Sequence, residues 1–351
     1  MKRFFSLSLA LTFLAICGLF SAALAQDRAT ASQGGPSPII KHGINTAGAD
    51  TLSAPTGIPS TGTEFNPFSM GAAKDENGGE LNPGARGFSL TTGGTGSLTP
   101  LLNHGGPVIK TPTAYVIWYG NWNRGNGTDT PAGQQIVRDF FNTIGGSPYF
   151  LINSTYGSGI TGSVINGGET TVSGYPQGTS LTDTEIKTIV NNAITVSHTL
   201  PYNANGVYFV LSSSDVSETS GFCSQYCGWH TAATPSAGHI RYSFVGNAAR
   251  CITSCAAQSS SPNSNAGVDG MISVVAHELE EATTDPDLNA WYDSSGAENG
   301  DKCAWTFGHF QYQVGNGSWA NVHLGSRDFL IQRNVRFNTG GQFCMMDSSH
   351  N

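Results

Sequence analysis

Two continuous apolar runs constrain this 351-residue chain more than any other feature. Thr113-Ala114-Tyr115-Val116-Ile117-Trp118-Tyr119 is β-branched and aromatic throughout and is bounded by Pro112 and Gly120. Val207-Tyr208-Phe209-Val210-Leu211 has the same character. Runs of this length without polar alternation read as strands buried on both faces. Pro131 opens a stretch through Ile136, Val137, Phe140 and Phe141 with helical spacing, and Thr182 opens another through Ile186, Ile189, Val190 and Ile194. Ile240 to Val245 is a further strand candidate. Strands alternating with helices predict an α+β domain, a mixed sheet flanked by helices.

A third helix is expected from Met271 to Thr284. Asp269 stands where an N-cap would sit, and Pro286 forces the helix to end at or before Asp285. Its first two turns are apolar all round, whereas its end reads His277-Glu278-Leu279-Glu280-Glu281. A helix of this kind is buried at its start and meets polar chemistry at its end.

That end carries the main chemical expectation. His277 and Glu281 are four residues apart, so they share one helical face and can share one metal ion. In H-E-x-x-H zinc peptidases two helical ligands hold the ion while the adjacent Glu activates a water. Here Glu281 replaces the second His, and a carboxylate also admits calcium or manganese where zinc is the first expectation. A third ligand is expected from Glu298-Asn299-Gly300-Asp301, so Glu298 and Asp301 rank above Asp287. Glu278 is the candidate general base. His230 and His239 are candidates for a transition-state hydrogen-bond donor or an extra ligand. The plainer alternatives are a surface acidic cluster or a hydrogen-bonded core network. No nucleophile elbow, phosphate-binding loop or dinucleotide fingerprint is visible.

Compartment follows from the N-terminus and the cysteines. Lys2 and Arg3 precede an apolar run from Phe4 to Phe20, ending in small residues around Ala25, so residues 1–25 read as a signal peptide. Residues 26–105 are rich in Gly, Ser, Thr and Pro and read as a flexible leader before a domain at 106–351. Of seven cysteines, Cys17 lies in the signal peptide; the other six, Cys223, Cys227, Cys251, Cys255, Cys303 and Cys344, predict three disulfides. Spacing leaves their pairing open, and a thiolate zinc site is the alternative for the two C-x3-C pairs. With 16 Lys+Arg against 24 Asp+Glu there is no basic stripe for nucleic acid. No later run is long enough to cross a membrane. Asn126, Asn153 and Asn316 head glycosylation sequons. Trp118-Tyr119-Gly120-Asn121-Trp122 reads as core, with sugar stacking as the alternative.

Several segments together resemble the plant EXORDIUM, or phosphate-induced, protein family. They include Asp215-Val216, Phe222-Cys223-Ser224-Gln225-Tyr226-Cys227-Gly228-Trp229-His230, Val245-Gly246-Asn247, and Gly267-Val268-Asp269-Gly270-Met271-Ile272-Ser273-Val274. The likeness continues through Asn289-Ala290-Trp291-Tyr292, Glu298, Asp301 and Cys303. It implies an extracellular location and shared fold, since the plant members are associated with the extracellular matrix and cell expansion, but it implies no substrate. Asp285 departs from the plant pattern, which favours Asn there, and the long leader is unlike the plant members.

The combined expectation is a secreted domain with a zincin-like active-site helix, three disulfides and metal-dependent hydrolysis of peptide bonds. The alternative is a non-enzymatic protein that binds a matrix or cell-wall component. The partner is accordingly an extracellular polypeptide or a cell-wall component.

Overall fold

The computed structural model describes residues 100–294, 296–308, 311–339 and 341–347. The signal-peptide reading and the leader through residue 99 lie outside the described residues.

A five-stranded mixed sheet organises the domain. Its strands are β1 (Thr113–Tyr119), β2 (Ile165–Val172), β3 (Gly206–Ser212), β4 (Gly228–Ala233) and β5 (Ile240–Gly246). They lie in the order β2-β1-β3-β5-β4. The first four in that order pair in parallel, and β4 pairs antiparallel with β5 alone. Every residue of β1 and β3 is buried, as their unbroken apolar sequences require of strands covered on both faces. Two strands escaped sequence reading for physical reasons. β2 carries Gly167, Gly168 and polar residues, because its outer face is partly solvated at the sheet edge. β4 is short and has no apolar run.

Three helices cover the sheet. α1 (Pro131–Thr143) is capped by Thr130, whose hydroxyl accepts from the Gly133 N–H, with proline in its first turn. It buries Ile136, Val137, Phe140 and Phe141, and Phe141 meets Phe209 of β3 at 5.3 Å between ring centres. α2 (Asp183–Thr195) opens with a Thr182–Glu185 capping box and packs on β3 and β5. α3 (Ala266–Thr284) packs on α1, β4 and β5.

α3 ends at the expected place but begins one turn early. The N-cap is Asn265, whose side chain accepts from the Val268 N–H at 3.1 Å. Asp269 instead lies inside the first turn and accepts from the backbone and side chain of Asn263, tying the preceding loop to the helix. All its residues from Gly267 to Thr284 are buried. Gly228, at the start of β4, permits close approach of the helix, since a Cβ there would stand 2.6 Å from Val274 Cγ1.

Three disulfides join Cys223 to Cys251, Cys227 to Cys255 and Cys303 to Cys344. The two C-x3-C segments therefore cross-link to each other in register, and their sulfurs are committed to disulfides. The third bridge anchors the segment after Asp301 to a C-terminal hairpin of β6 (Asn334–Asn338) and β7 (Gly341–Met345). Leu101 is buried, and Leu102–Asn103 pairs with Trp291–Tyr292. Trp118, Tyr119 and Trp122 are buried in the core, which removes them as a sugar-stacking surface. Asn153 is wholly buried and bonded to Phe150 and Asn334, so its sequon is inaccessible in the folded domain.

Replacing Cys303 and Cys344 together by Ser removes a link across 41 residues and is expected to cost ~2–4 kcal/mol in urea unfolding. An unchanged midpoint would mean that the bridge does not constrain the segment carrying Glu298 and Asp301.

Candidate functional site

The polar end of α3 lies between the edge strand β4 and the loop 298–301, and each supplies donors. His277 and Glu281 face the same side of the helix, and His277 Nε2 stands 3.0 Å from Glu281 Oε1. From the loop, Asp301 Oδ1 lies 3.6 Å from His277 Nε2, and the Asp301 backbone N–H donates to Glu281 Oε1 at 3.1 Å. Gly300 makes this approach possible. A Cβ on it would come within 2.9 Å of both Glu281 Oε1 and the His277 ring.

From β4, His230 Nε2 stands 3.1 Å from Glu298 Oε2 and 3.7 Å from Glu281 Oε2. Its side chain therefore enters the carboxylate cluster. Glu278 lies with His230 and Glu281 in a group whose donor atoms are all within 4.8 Å of one another. His277, Glu281 and Asp301 form a second such group. Two ligands of a tetrahedral ion, each about 2.0–2.1 Å away, stand about 3.3 Å apart, so the observed separations suit donors that share a cation.

Asp301 is thus the loop residue that joins His277 and Glu281, and Glu298 joins His230. Asp287 lies elsewhere, paired with Arg241 at 2.7 and 2.9 Å and with His239 at 2.8 Å. His239 is consequently outside the cluster. Sequence reading missed Glu280, which is also buried and accepts a short hydrogen bond from Asn334 beside Asn153. The only sequence signal for that role is its place on an otherwise buried helix.

Burial dominates the electrostatics. His277, Glu278, Glu281 and Glu298 are each at most 1% exposed. Among the described residues neither carboxylate oxygen of Glu278 has a hydrogen-bond partner. Burial, followed by the Glu281 charge, holds the Glu278 carboxyl well above the usual range, while His277 pulls the other way. Glu298 is raised likewise by burial and then by Glu281 and Asp285. For His277 burial opposes the charged form, but Glu281, Asp301 and Glu278 outweigh it and hold the imidazole well above its ordinary value. Without a cation, the cluster compensates its charge by keeping protons.

The chain matches the family model described as the phosphate-induced protein 1 conserved region over residues 101–322. It is 34% identical over 281 residues to Protein EXORDIUM-like 3 of Arabidopsis thaliana, covering 68% of this chain and 81% of the relative. It is 32% identical over 295 residues to Protein EXORDIUM-like 5 of the same plant, covering 70% and 79%. The chain belongs to the EXORDIUM, or phosphate-induced, protein family. No solved structure matches it. The three disulfides and the relatives fit an extracellular protein, and among the described residues no helix is long and apolar enough to cross a membrane.

A pH dependence follows from the shifts. Glu278, Glu298 and His277 all bind protons more tightly folded than unfolded. Their stabilisation is complete below the unfolded carboxylate value and is lost as pH rises through the folded values. The chelator-treated protein is therefore expected to melt at a lower temperature at about pH 8 than at about pH 5. Circular dichroism melts that are flat or rise over that interval would contradict it.

Proposed function

We propose that this is a secreted metal-dependent hydrolase acting on peptide bonds, with α3 as a zincin-like active-site helix. In this reading His277, Glu281 and Asp301 hold the ion, with His230 and Glu298 as further donors, and Glu278 acts as the general base. The observation that carries it is Glu278: a fully buried carboxylate, without a hydrogen-bond partner on either oxygen, beside a set of imidazole and carboxylate donors at ligand spacing. The donor set suits zinc, with calcium or manganese accepted by its hard oxygens.

A bound divalent ion would act as a Lewis acid and lower the pKa of a coordinated water. The chain's own contribution is to take and return the proton. Glu278, whose basicity burial and the Glu281 charge raise, is placed to accept a proton and release it to a leaving amine. A peptide bond is the substrate class of this reading, by analogy with the H-E-x-x-H zinc peptidases.

A second reading is favoured by the near-complete enclosure of the cluster, where Asp301 has the most exposed side chain of its group, at 13%. In that reading the ion is structural, and the protein binds an extracellular matrix or cell-wall partner without turnover. Nucleic acid is not an expected partner under either reading.

Glu278→Gln separates the two. Under the hydrolase reading, zinc-loaded protein cleaves fluorescein-labelled casein and the variant loses roughly 100-fold or more of that rate. Full activity in the variant would remove Glu278 as base. A folded, zinc-loaded wild type that cleaves nothing, yet unfolds on chelation, would establish the structural reading.

A further inference from the structure

We propose that the site is dinuclear, with the Glu281 carboxylate bridging two divalent cations. This rests on the metal-binding reading above and specifies its stoichiometry. One ion is held by His277, Asp301 and Glu281 Oε1; the other by His230, Glu278 and Glu281 Oε2.

Geometry carries the first part of the argument. Among the described residues the histidine and acidic donors fall into two triples, and Glu281 is their common member. The two imidazoles do not fall within one ligand set. They address opposite oxygens of that carboxylate, with His277 Nε2 at 3.0 Å from Oε1 and His230 Nε2 at 3.7 Å from Oε2. Donors of one ion at about 2.0–2.2 Å from it stand at most about 4.4 Å apart, whereas among the described residues the two imidazoles and Glu281 form no common group within 4.8 Å, so one ion does not take both imidazoles. A carboxylate with one oxygen on each ion is the arrangement that uses all of them, and paired catalytic ions stand about 3.5–4 Å apart.

Glu278 supplies an independent observation. Among the described residues both of its oxygens are buried without hydrogen-bond partners, and a carboxylate oxygen lies within 4.8 Å of the donor atoms of His230 and Glu281. Glu298 Oε2, 3.1 Å from His230 Nε2, stands at ligand spacing on the same side. Charge arithmetic agrees. Glu278, Glu281, Glu298 and Asp301 carry four negative charges when ionised, and two divalent cations neutralise them, whereas one leaves two to be compensated by protons. Glu278 would meet the second ion through one oxygen, leaving the other to take the proton in the reading above.

The full chain, stripped with chelator, reloaded with zinc chloride alone and desalted, is then assayed for zinc by mass spectrometry. Two ions per chain are expected, falling to one in Glu278→Gln and to one in His277→Ala. One ion per chain, unchanged in Glu278→Gln, overturns the dinuclear centre and leaves the mononuclear reading standing. No bound ion overturns both. Reloading the wild type with manganese needs no variant: an exchange-coupled paramagnetic resonance spectrum is expected, and two uncoupled manganese signals overturn the bridge.

Discussion

Burial of the acidic end of α3 is the constraint on which the rest of the site depends. Four carboxylates and two imidazoles are packed where water hardly reaches. Transfer of even one unpaired carboxylate into such surroundings costs several kcal/mol in practice, about the scale of a domain's whole stability margin. The cluster must therefore carry protons, cations or both. Its separations suit cations, and its raised pKa values describe the proton-loaded alternative. A cation would compete with those protons, because each ligand must release its proton before it binds an ion.

The surrounding fold holds this cluster from three directions. α3 packs Met271 to Ala276 under the sheet, and only then does it present His277 and Glu281. The strand carrying His230 begins beside Cys227, which is cross-linked to Cys255 just before α3. The loop carrying Glu298 and Asp301 runs into Cys303, which is cross-linked to the terminal hairpin. Both non-helical contributors are thus tethered close to the site. Gly300 lets the loop backbone lie on the His277 ring at a distance no side chain allows.

Legibility in sequence tracked how local each determinant is. β1 was readable residue for residue, because an apolar run between Pro112 and Gly120 leaves no other assignment. The end of α3 is readable from Pro286, but its start is not, since Asn265 sits in a polar run where several residues, Asp269 among them, can cap. His277 and Glu281 follow from helical geometry alone. The choice between Glu298 and Asp301 does not, because it depends on how Gly300 turns the loop against the helix. The entry of His230 depends on β4 being the sheet edge, which no local pattern announces.

Family membership supplies kinship with the EXORDIUM-like proteins of Arabidopsis thaliana, and the buried cluster supplies a chemical hypothesis that kinship alone does not. The most direct measurement is anomalous X-ray diffraction at the zinc edge from crystals grown with zinc. The account predicts a strong anomalous peak bounded by His277 Nε2, Glu281 Oε1 and Asp301, about 2.0–2.2 Å from each. No anomalous density there in a folded crystal, with the carboxyl groups hydrogen-bonded to one another, would contradict it.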